Sequence, residues 1–237
     1  LDAVWRILVI CLGEPPRSFD WEWRDDAGEF HRDGTVTPKE FFDRYVGVDL
    51  SEYVCLVDDP RRAHAKGQAL TVEHLGNVIG GRQIRYINTE MATIKKIASR
   101  MIARGEPVWF GADVSQQSER DLGLLVEELH DYSGLFGVDL KTTKEQRVLS
   151  GESAMNHAML FTGVDIDEDG HPRRWRVENS WGEDVGEKGF FTMDDAWFSE
   201  YVFEVVVKIS ELPDELRPAV TSEPLVLPAW DPMGTLA

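Results

Sequence analysis

Residues 156–182 constrain this chain more tightly than any other stretch. The run Asn156-His157-Ala158-Met159-Leu160-Phe161-Thr162-Gly163-Val164 precedes an Asp/Gly cluster, Asp165-Ile166-Asp167-Glu168-Asp169-Gly170. Arg174-Trp175-Arg176-Val177-Glu178-Asn179-Ser180-Trp181-Gly182 follows it. Two apolar-alternating runs around such a cluster predict two strands joined by a hairpin turn. His157 opens the first strand and Asn179 closes the second, with residue 168 midway between them. A regular hairpin therefore sets them opposite each other, ~5 Å apart at Cβ, within reach of a ring N–H to amide oxygen bond. A lone histidine at a strand start is by default structural. Here Trp181 offers an apolar plate beside the asparagine, and Gly182 supplies bare backbone. A shielded His–Asn bond holds one imidazole tautomer and orientation, which a general base needs.

Other chemistries fit less well. The acidic cluster matches the opening of a calcium loop, but the twelfth position is Arg176 rather than a bidentate glutamate, so a solvated turn is expected. None of the six histidines lies in a close ligand pair, so no metal is expected. Gly76, Gly80 and Gly81 lack the spacing of a phosphate-binding loop. No cofactor is implied. Many carboxylates are present, yet sequence offers no means of choosing a catalytic pair among them.

The formal net charge of −18 over 237 residues argues against a generic nucleic-acid or anionic-membrane surface. No apolar run approaches the ~20 residues of a membrane span. The apolar run 4–12 contains Arg6 and lacks a basic lead, so it does not read as a signal peptide. Cys11 and Cys55 are the only cysteines. Without framework spacing they read as buried, inert thiols of a reducing, cytoplasmic compartment. Leu1 in place of methionine suggests a processed chain or a fragment.

In chain order, residues 2–12 predict a buried helix stopped by Gly13 and Pro15-Pro16. Residues 19–24 predict a half-buried strand. Thr37-Pro38-Lys39-Glu40 is a helix start that turns Phe41, Phe42 and Tyr45 toward a core. Strands are expected at 53–57, 69–75, 83–87 and 107–112. Thr89 is expected to cap a helix with Ile94, Ile97, Ala98, Met101 and Ile102 inside and Lys95, Lys96 and Arg100 in water. A further helix is expected over 119–132, carrying Leu122, Leu125, Val126 and Leu129. Strands at 189–193 and 202–209 flank a short helix. Five prolines between 213 and 232 exclude a long helix, while Leu225, Leu227, Trp230, Met233 and Leu236 are too apolar for disorder. A docked C-terminal arm is expected. The whole predicts an α+β chain, mainly an antiparallel sheet lobe with flanking helices.

These residues carry a resemblance. Asn156-His157-Ala158-Met159 with Glu178-Asn179-Ser180-Trp181-Gly182 is similar to the His/Asn half of papain-like cysteine peptidases, whose triad is Cys-His-Asn. Cys11-Leu12-Gly13 with Pro15-Pro16, Gly80-Gly81-Arg82, Val108-Trp109-Phe110-Gly111, Glu204-Val205-Val206-Val207 and Leu227-Pro228-Ala229-Trp230-Asp231-Pro232-Met233-Gly234 resemble the bleomycin hydrolase/aminopeptidase C family. The resemblance implies a papain-like fold, with a helical insert region over about 1–106, a His/Asn sheet lobe over about 107–212 and the arm at 213–237. It implies a cytoplasmic thiol aminopeptidase acting on peptides, assembled as a homohexamer. His157 would be the base and Asn179 its orienter. Asn156 and Trp181 would line the substrate site, and Ala237 would meet the substrate's α-amine.

The family's nucleophile follows a glutamine and precedes a tryptophan. Here Cys11 precedes Leu12, Cys55 precedes Leu56, and no glutamine lies upstream of either. The expectation is a C-terminal portion that lacks the nucleophile and is inactive alone, its partner being the missing N-terminal portion of the same enzyme. The alternative is a non-catalytic binding or assembly module of the same fold.

Overall fold

A computed structural model describes residues 1–76 and 80–236. The chain divides into two compact units, Leu1–Leu50 and Ser51–Ala237.

In the first unit, helix α1 (Asp2–Leu12) forms as expected but buries none of its residues. Val4, Trp5, Ile7 and Ile10 are exposed, and so is Cys11, against the expectation of a buried helix and a buried thiol. An apolar run alone fixes the helix, whereas burial needs a partner surface, which the run cannot specify. Strands β1 (Phe19–Arg24) and β2 (Phe30–Val36) pair antiparallel. In β1 the aromatics alternate with exposed polar residues. The Asp25 carboxylate closes the turn by accepting from the Ala27 and Glu29 N–H groups. Helix α2 (Pro38–Phe41) starts with the expected capping box between Thr37 and Glu40 and runs into a π-helical turn, Phe42–Val46. Phe41 and Tyr45 pack on Trp21 at ring distances of 4.8 and 5.8 Å, while Phe42 stays exposed.

The second unit is built on one sheet. Its strands are β3 (Tyr53–Val57), β4 (Ala69–Val72), β5 (Tyr86–Asn88), β6 (Val108–Ala112), β7 (Ser118–Glu119), β8 (Leu124–Leu125), β9 (His157–Ile166), β10 (Pro172–Glu178), β11 (Phe190–Asp194), β12 (Val202–Lys208) and β13 (Leu225–Leu227). Their order is β13-β4-β5-β3-β12-β6-β9-β10-β11-β8-β7. The sheet is mixed, because β3/β5, β4/β13 and β8/β11 run parallel. Residues 51–106 thus contribute three strands to the sheet that carries the His/Asn hairpin.

Alternation along the strands separates two apolar clusters. Val54 and Leu56 of β3, Val108, Phe110 and Ala112 of β6, and Met159 and Phe161 of β9 enter the larger one. Helix α3 (Met91–Ala103) adds Ile94, Ile97, Ala98 and Met101 to it, and α6 (Asp195–Tyr201) adds Trp197 and Phe198. Phe161 is central, stacked on Phe110 at 3.7 Å and on Phe198 at 5.0 Å. Val57 and Cys55 of β3 join the smaller cluster with Tyr86, Val148, Met155 and Phe203. The C-terminal arm covers that cluster: β13 pairs with β4, and Leu227, Met233 and Leu236 pack there. The expected docking of the arm is observed at Leu227, Met233 and Leu236, while Leu225 and Trp230 stay exposed.

Three local expectations fail. Residues 119–132 form β7, β8 and turns instead of a helix. Gly123 is left-handed (φ +66°), and a Cβ there would lie 2.8 Å from the Gly186 backbone, so close chain approach overrides the helical spacing. The N-cap of α3 is Glu90, not Thr89. Lys95 is not in bulk water: its Nζ bonds Asp195 Oδ2 at 2.7 Å and Ser199 Oγ at 2.7 Å. Helices α4 (Tyr132–Phe136) and α5 (Lys144–Ser150) lie between β8 and β9, α5 with a Thr143/Gln146 capping box. No helix among the described residues is long and apolar enough to cross a membrane.

Candidate active site

His157 begins β9, but its ladder partner is Ala112 of β6. On the hairpin side Leu160 faces Glu178 and Phe161 faces Val177, after register shifts near Arg174 and Val177. The expected direct opposition of His157 and Asn179 is therefore absent. Asn179 lies one residue past the β9/β10 ladder and reaches the histidine diagonally. The bond forms nonetheless, with Nε2 and Asn179 Oδ1 2.8 Å apart.

Backbone contacts hold the asparagine. Its N–H donates to the Gly189 carbonyl at 3.0 Å. Gly182 and Gly189 flank this crossing with φ of +92° and +84°, a region that glycine enters freely. The Ser180 N–H donates to Asn179 Oδ1 at 2.8 Å. A backbone N–H needs an oxygen acceptor, so this bond fixes which end of the amide faces the ring. Nε2 must then be the donor, and Nδ1 keeps its lone pair for chemistry. Among the described residues Nδ1 has no hydrogen-bond partner, and Asn179 Nδ2 is a buried donor without one.

Trp181 stacks on the imidazole with ring centroids 4.7 Å apart and planes 29° apart. It also meets Phe191 edge-on at 5.7 Å, which ties the plate to the larger cluster. The Arg120 guanidinium sits 5.0 Å from the indole.

Asn156 lies beside the histidine, but its amide is engaged. Oδ1 accepts from the Val114 N–H at 3.0 Å, and Nδ2 donates to Asp113 Oδ1 at 2.6 Å. Asp113 is buried and also accepts from Ser153 Oγ at 2.7 Å and the Ser115 N–H at 3.1 Å. This knot joins the end of β6 to the start of β9. Sequence reading missed Asp113 and Arg120. The Asp113-Val114-Ser115 turn just past an apolar strand was the available signal for the first. Ala237 lies outside the described residues.

The Cys55 thiol is half-buried beside Glu204. Burial pushes its thiol well above the usual range, and the neighbouring Glu204 carboxylate raises it further, the reverse of what thiolate chemistry needs. Asp167, Asp169 and His171 bring ligand atoms within 4.8 Å of one another in the hairpin turn. Asp167 Oδ1 already closes that turn, accepting from the Asp169 and His171 N–H groups at 3.0 and 2.8 Å.

The Peptidase C1-like family matches residues 1–234. Human bleomycin hydrolase is 46% identical over 242 residues, covering 100% of this chain and 53% of its own length. Aminopeptidase C of Lactobacillus delbrueckii subsp. lactis is 42% identical over 240 residues, with 100% and 53% covered. The crystal structure of PepW from Lactobacillus rhamnosis superposes with a TM-score of 0.96 at 45% identity, again covering 100% of this chain and 53% of the other. The chain spans about half the length of the curated relatives it matches. The α+β fold is that of papain-like peptidases.

Proposed function

Because the chain belongs to the Peptidase C1-like family, a family of cysteine peptidases, we propose that it supplies the base and orienter of a thiol aminopeptidase. The observation that carries this reading is the His157 Nε2–H to Asn179 Oδ1 bond under the Trp181 plate. It leaves Nδ1 as the one basic nitrogen. The nucleophile comes from polypeptide beyond these 237 residues, since neither cysteine suits the role. Cys55 is held as a thiol, and Cys11 precedes Leu12 where the family's nucleophile precedes a tryptophan.

In the proposed reaction a cysteine thiolate attacks the carbonyl carbon of the first residue of a peptide. His157 Nδ1 takes the thiol proton and forms an ion pair with the thiolate. The same proton passes to the leaving amine as the C–N bond breaks. Water then enters through His157, cleaves the thioester and releases the first residue. Asn179 holds the ring through both half-reactions. The relatives' names, aminopeptidase C and bleomycin hydrolase, support a peptide substrate with a free amino end. The position of Leu236 against Gly111 supports an arm that reaches the site, where Ala237 would meet that amine. The exposed apolar side of α1 supports association with further polypeptide, whether the nucleophile-bearing portion or copies in a homohexamer. A cytoplasmic setting fits thiol chemistry.

The test is hydrolysis of an aminoacyl-coumarin amide. The chain alone should show no thiol-dependent turnover. Joined to the nucleophile-bearing portion it should turn over, and His157→Ala should lower kcat by roughly 10²–10⁴-fold. Turnover by the isolated chain that disappears with Cys55→Ala or Cys11→Ala would overturn the reading.

A further inference from the structure

The Trp181 plate carries a cation that the reaction proposed above leaves unassigned. Arg120 stands at the turn between β7 and β8, its guanidinium carbon 5.0 Å from the centre of the indole ring. The imidazole of His157 stacks on the same indole at 4.7 Å. Arginine and imidazole therefore lie within ~10 Å of each other, about three residues of an extended bound peptide.

Local structure holds the arginine there. β7 and β8 pair as a short hairpin, Ser118 opposite Leu125 and Glu119 opposite Leu124. The Gly123 N–H closes the turn on the Arg120 carbonyl at 3.2 Å. Ser118 Oγ donates to the Val114 carbonyl at 2.7 Å, and β8 runs parallel to β11. Gly123 passes so close to Gly186 that a Cβ would lie 2.8 Å from its Cα. The Gly123 carbonyl accepts from the Thr192 N–H at 2.8 Å. The hairpin that bears Arg120 is thus fastened to the loop and strand that follow Trp181, so plate and arginine keep their spacing.

The arginine itself is exposed. Among the described residues its guanidinium has no carboxylate at ion-pair distance and no hydrogen-bond acceptor. Its neighbour Glu119 accepts instead from the Asp121 N–H at 3.0 Å. In a chain of formal net charge −18, a free cation seated on an aromatic plate is a local exception. Stacking uses the face of a guanidinium and leaves its N–H edge, the part that grips a carboxylate as a fork.

We propose that Arg120 is a specificity-determining residue that receives a carboxylate on the leaving part of the substrate. This rests on the function proposed above, in which His157 Nδ1 hands a proton to the leaving amine. The leaving peptide then starts at the imidazole. Its second residue, the third of the substrate, lies ~7 Å farther along an extended chain and within reach of the fork. The carboxylate can be an acidic side chain at that position or the terminal carboxylate of a tripeptide. The other role open to Arg120 is to brace Trp181, and through it the His157–Asn179 bond, without touching substrate.

The enzyme completed with its nucleophile-bearing portion separates the two roles on matched peptides. Leu-Ala-Glu-Ala amide should be cleaved after leucine with kcat/KM roughly fivefold above that for Leu-Ala-Gln-Ala amide, the scale of an exposed ion pair. The gain should lie in KM and shrink in high salt. Leu-Ala-Ala against its amide reads the terminal carboxylate in the same way, and a preference in only one pair identifies the source. Arg120→Gln should bring the ratios to about one, and Arg120→Lys, which keeps charge without the fork, should retain part of them. Ratios of one in the unaltered enzyme would overturn the assignment. So would ratios that survive Arg120→Gln while turnover of all four peptides falls together, the mark of a brace.

A second readout needs no turnover. In ¹⁵N-labelled chain, the leaving peptide Ala-Glu-Ala amide should shift the Arg120 Nε–H and Trp181 Nε1–H signals at roughly fivefold lower concentration than Ala-Gln-Ala amide. Equal titrations, or no shift from either peptide, would overturn the assignment. If the wild-type assembly shows no thiol-dependent turnover, the proposed function fails while this titration still decides Arg120. If it turns over equally on the paired peptides, the assignment fails alone.

Discussion

The two faces of the second unit's sheet are closed by different means. One is covered by α3 and α6 and is dense with aromatic and aliphatic contacts around Phe161 and Trp175. The other is covered by the C-terminal arm and holds buried ionisable groups close to its apolar residues: Glu204 beside Cys55, and the Asp59–Arg61–Asp231 bridge. The helix-covered face is closed by burial, which is non-directional and tolerant of detail. The arm-covered face depends on particular polar partners, so single substitutions should have local and pH-dependent effects there. The histidine site sits where the two meet, since His157 leans on Trp181 of the larger cluster and follows Met155 of the smaller one.

The comparison is tested most heavily at Phe161. Replacing it by alanine empties the space between Phe110 and Phe198 and should cost roughly 3–5 kcal/mol in denaturant unfolding. A loss below about 1 kcal/mol, the scale of a surface change, would mean that the helical face is not the main source of stability.

Glu204 should give the next largest effect, and a pH-dependent one. Burial lifts its carboxyl from 4.5 to about 7, the Cys55 hydrogen bond offsetting only part of the rise. The folded chain therefore holds this proton more tightly than the unfolded chain does. Stability on this account is greatest below pH 4.5 and falls as pH rises through about 7, by on the order of 3 kcal/mol for one group. Glu204→Gln should flatten that slope in chemical denaturation between the two values. An unchanged slope in the glutamine variant would place the titrating group elsewhere.

Gly111→Ala should be smaller and more local. Its new methyl would run into Leu236 and approach Met155 Sδ at 3.3 Å, so the arm must lift at a cost of about 1–3 kcal/mol. Exchange should quicken at Leu236 before it does in α3. Equal quickening in both would erase the distinction between the faces.

Much of the helix-covered face was legible in the sequence because its signals are local. The α3 stripe of Ile94, Ile97, Ala98 and Met101 and the alternation in β9 follow from spacing, and the apolar run 107–112 gave β6. What failed there failed for want of a neighbour. The Leu122–Leu129 spacing is helical, but Gly123 must pass close to Gly186. The apolar run of α1 gave its helix without saying what covers it. On the other face, prolines and apolar residues indicated a docked arm, but nothing near Arg61 pointed to Asp231. A contact across 170 residues leaves no periodic trace. The site itself divides in the same way. His157, Asn179 and Trp181 could be read from their neighbours, although the register that joins them differs from the regular hairpin. Asp113 was signalled only by the turn that follows β6, and Arg120 could be placed only by the fold.

The tautomer of His157 tests the central claim most directly. In ¹⁵N-labelled chain, two-bond ¹H–¹⁵N correlation spectra should show the neutral ring with its proton on Nε2 and an unprotonated Nδ1. Asn179→Ala should let the two forms mix. A proton resident on Nδ1 in the unaltered chain would contradict the account, because that nitrogen could then neither take the thiol proton nor hand it to the leaving amine.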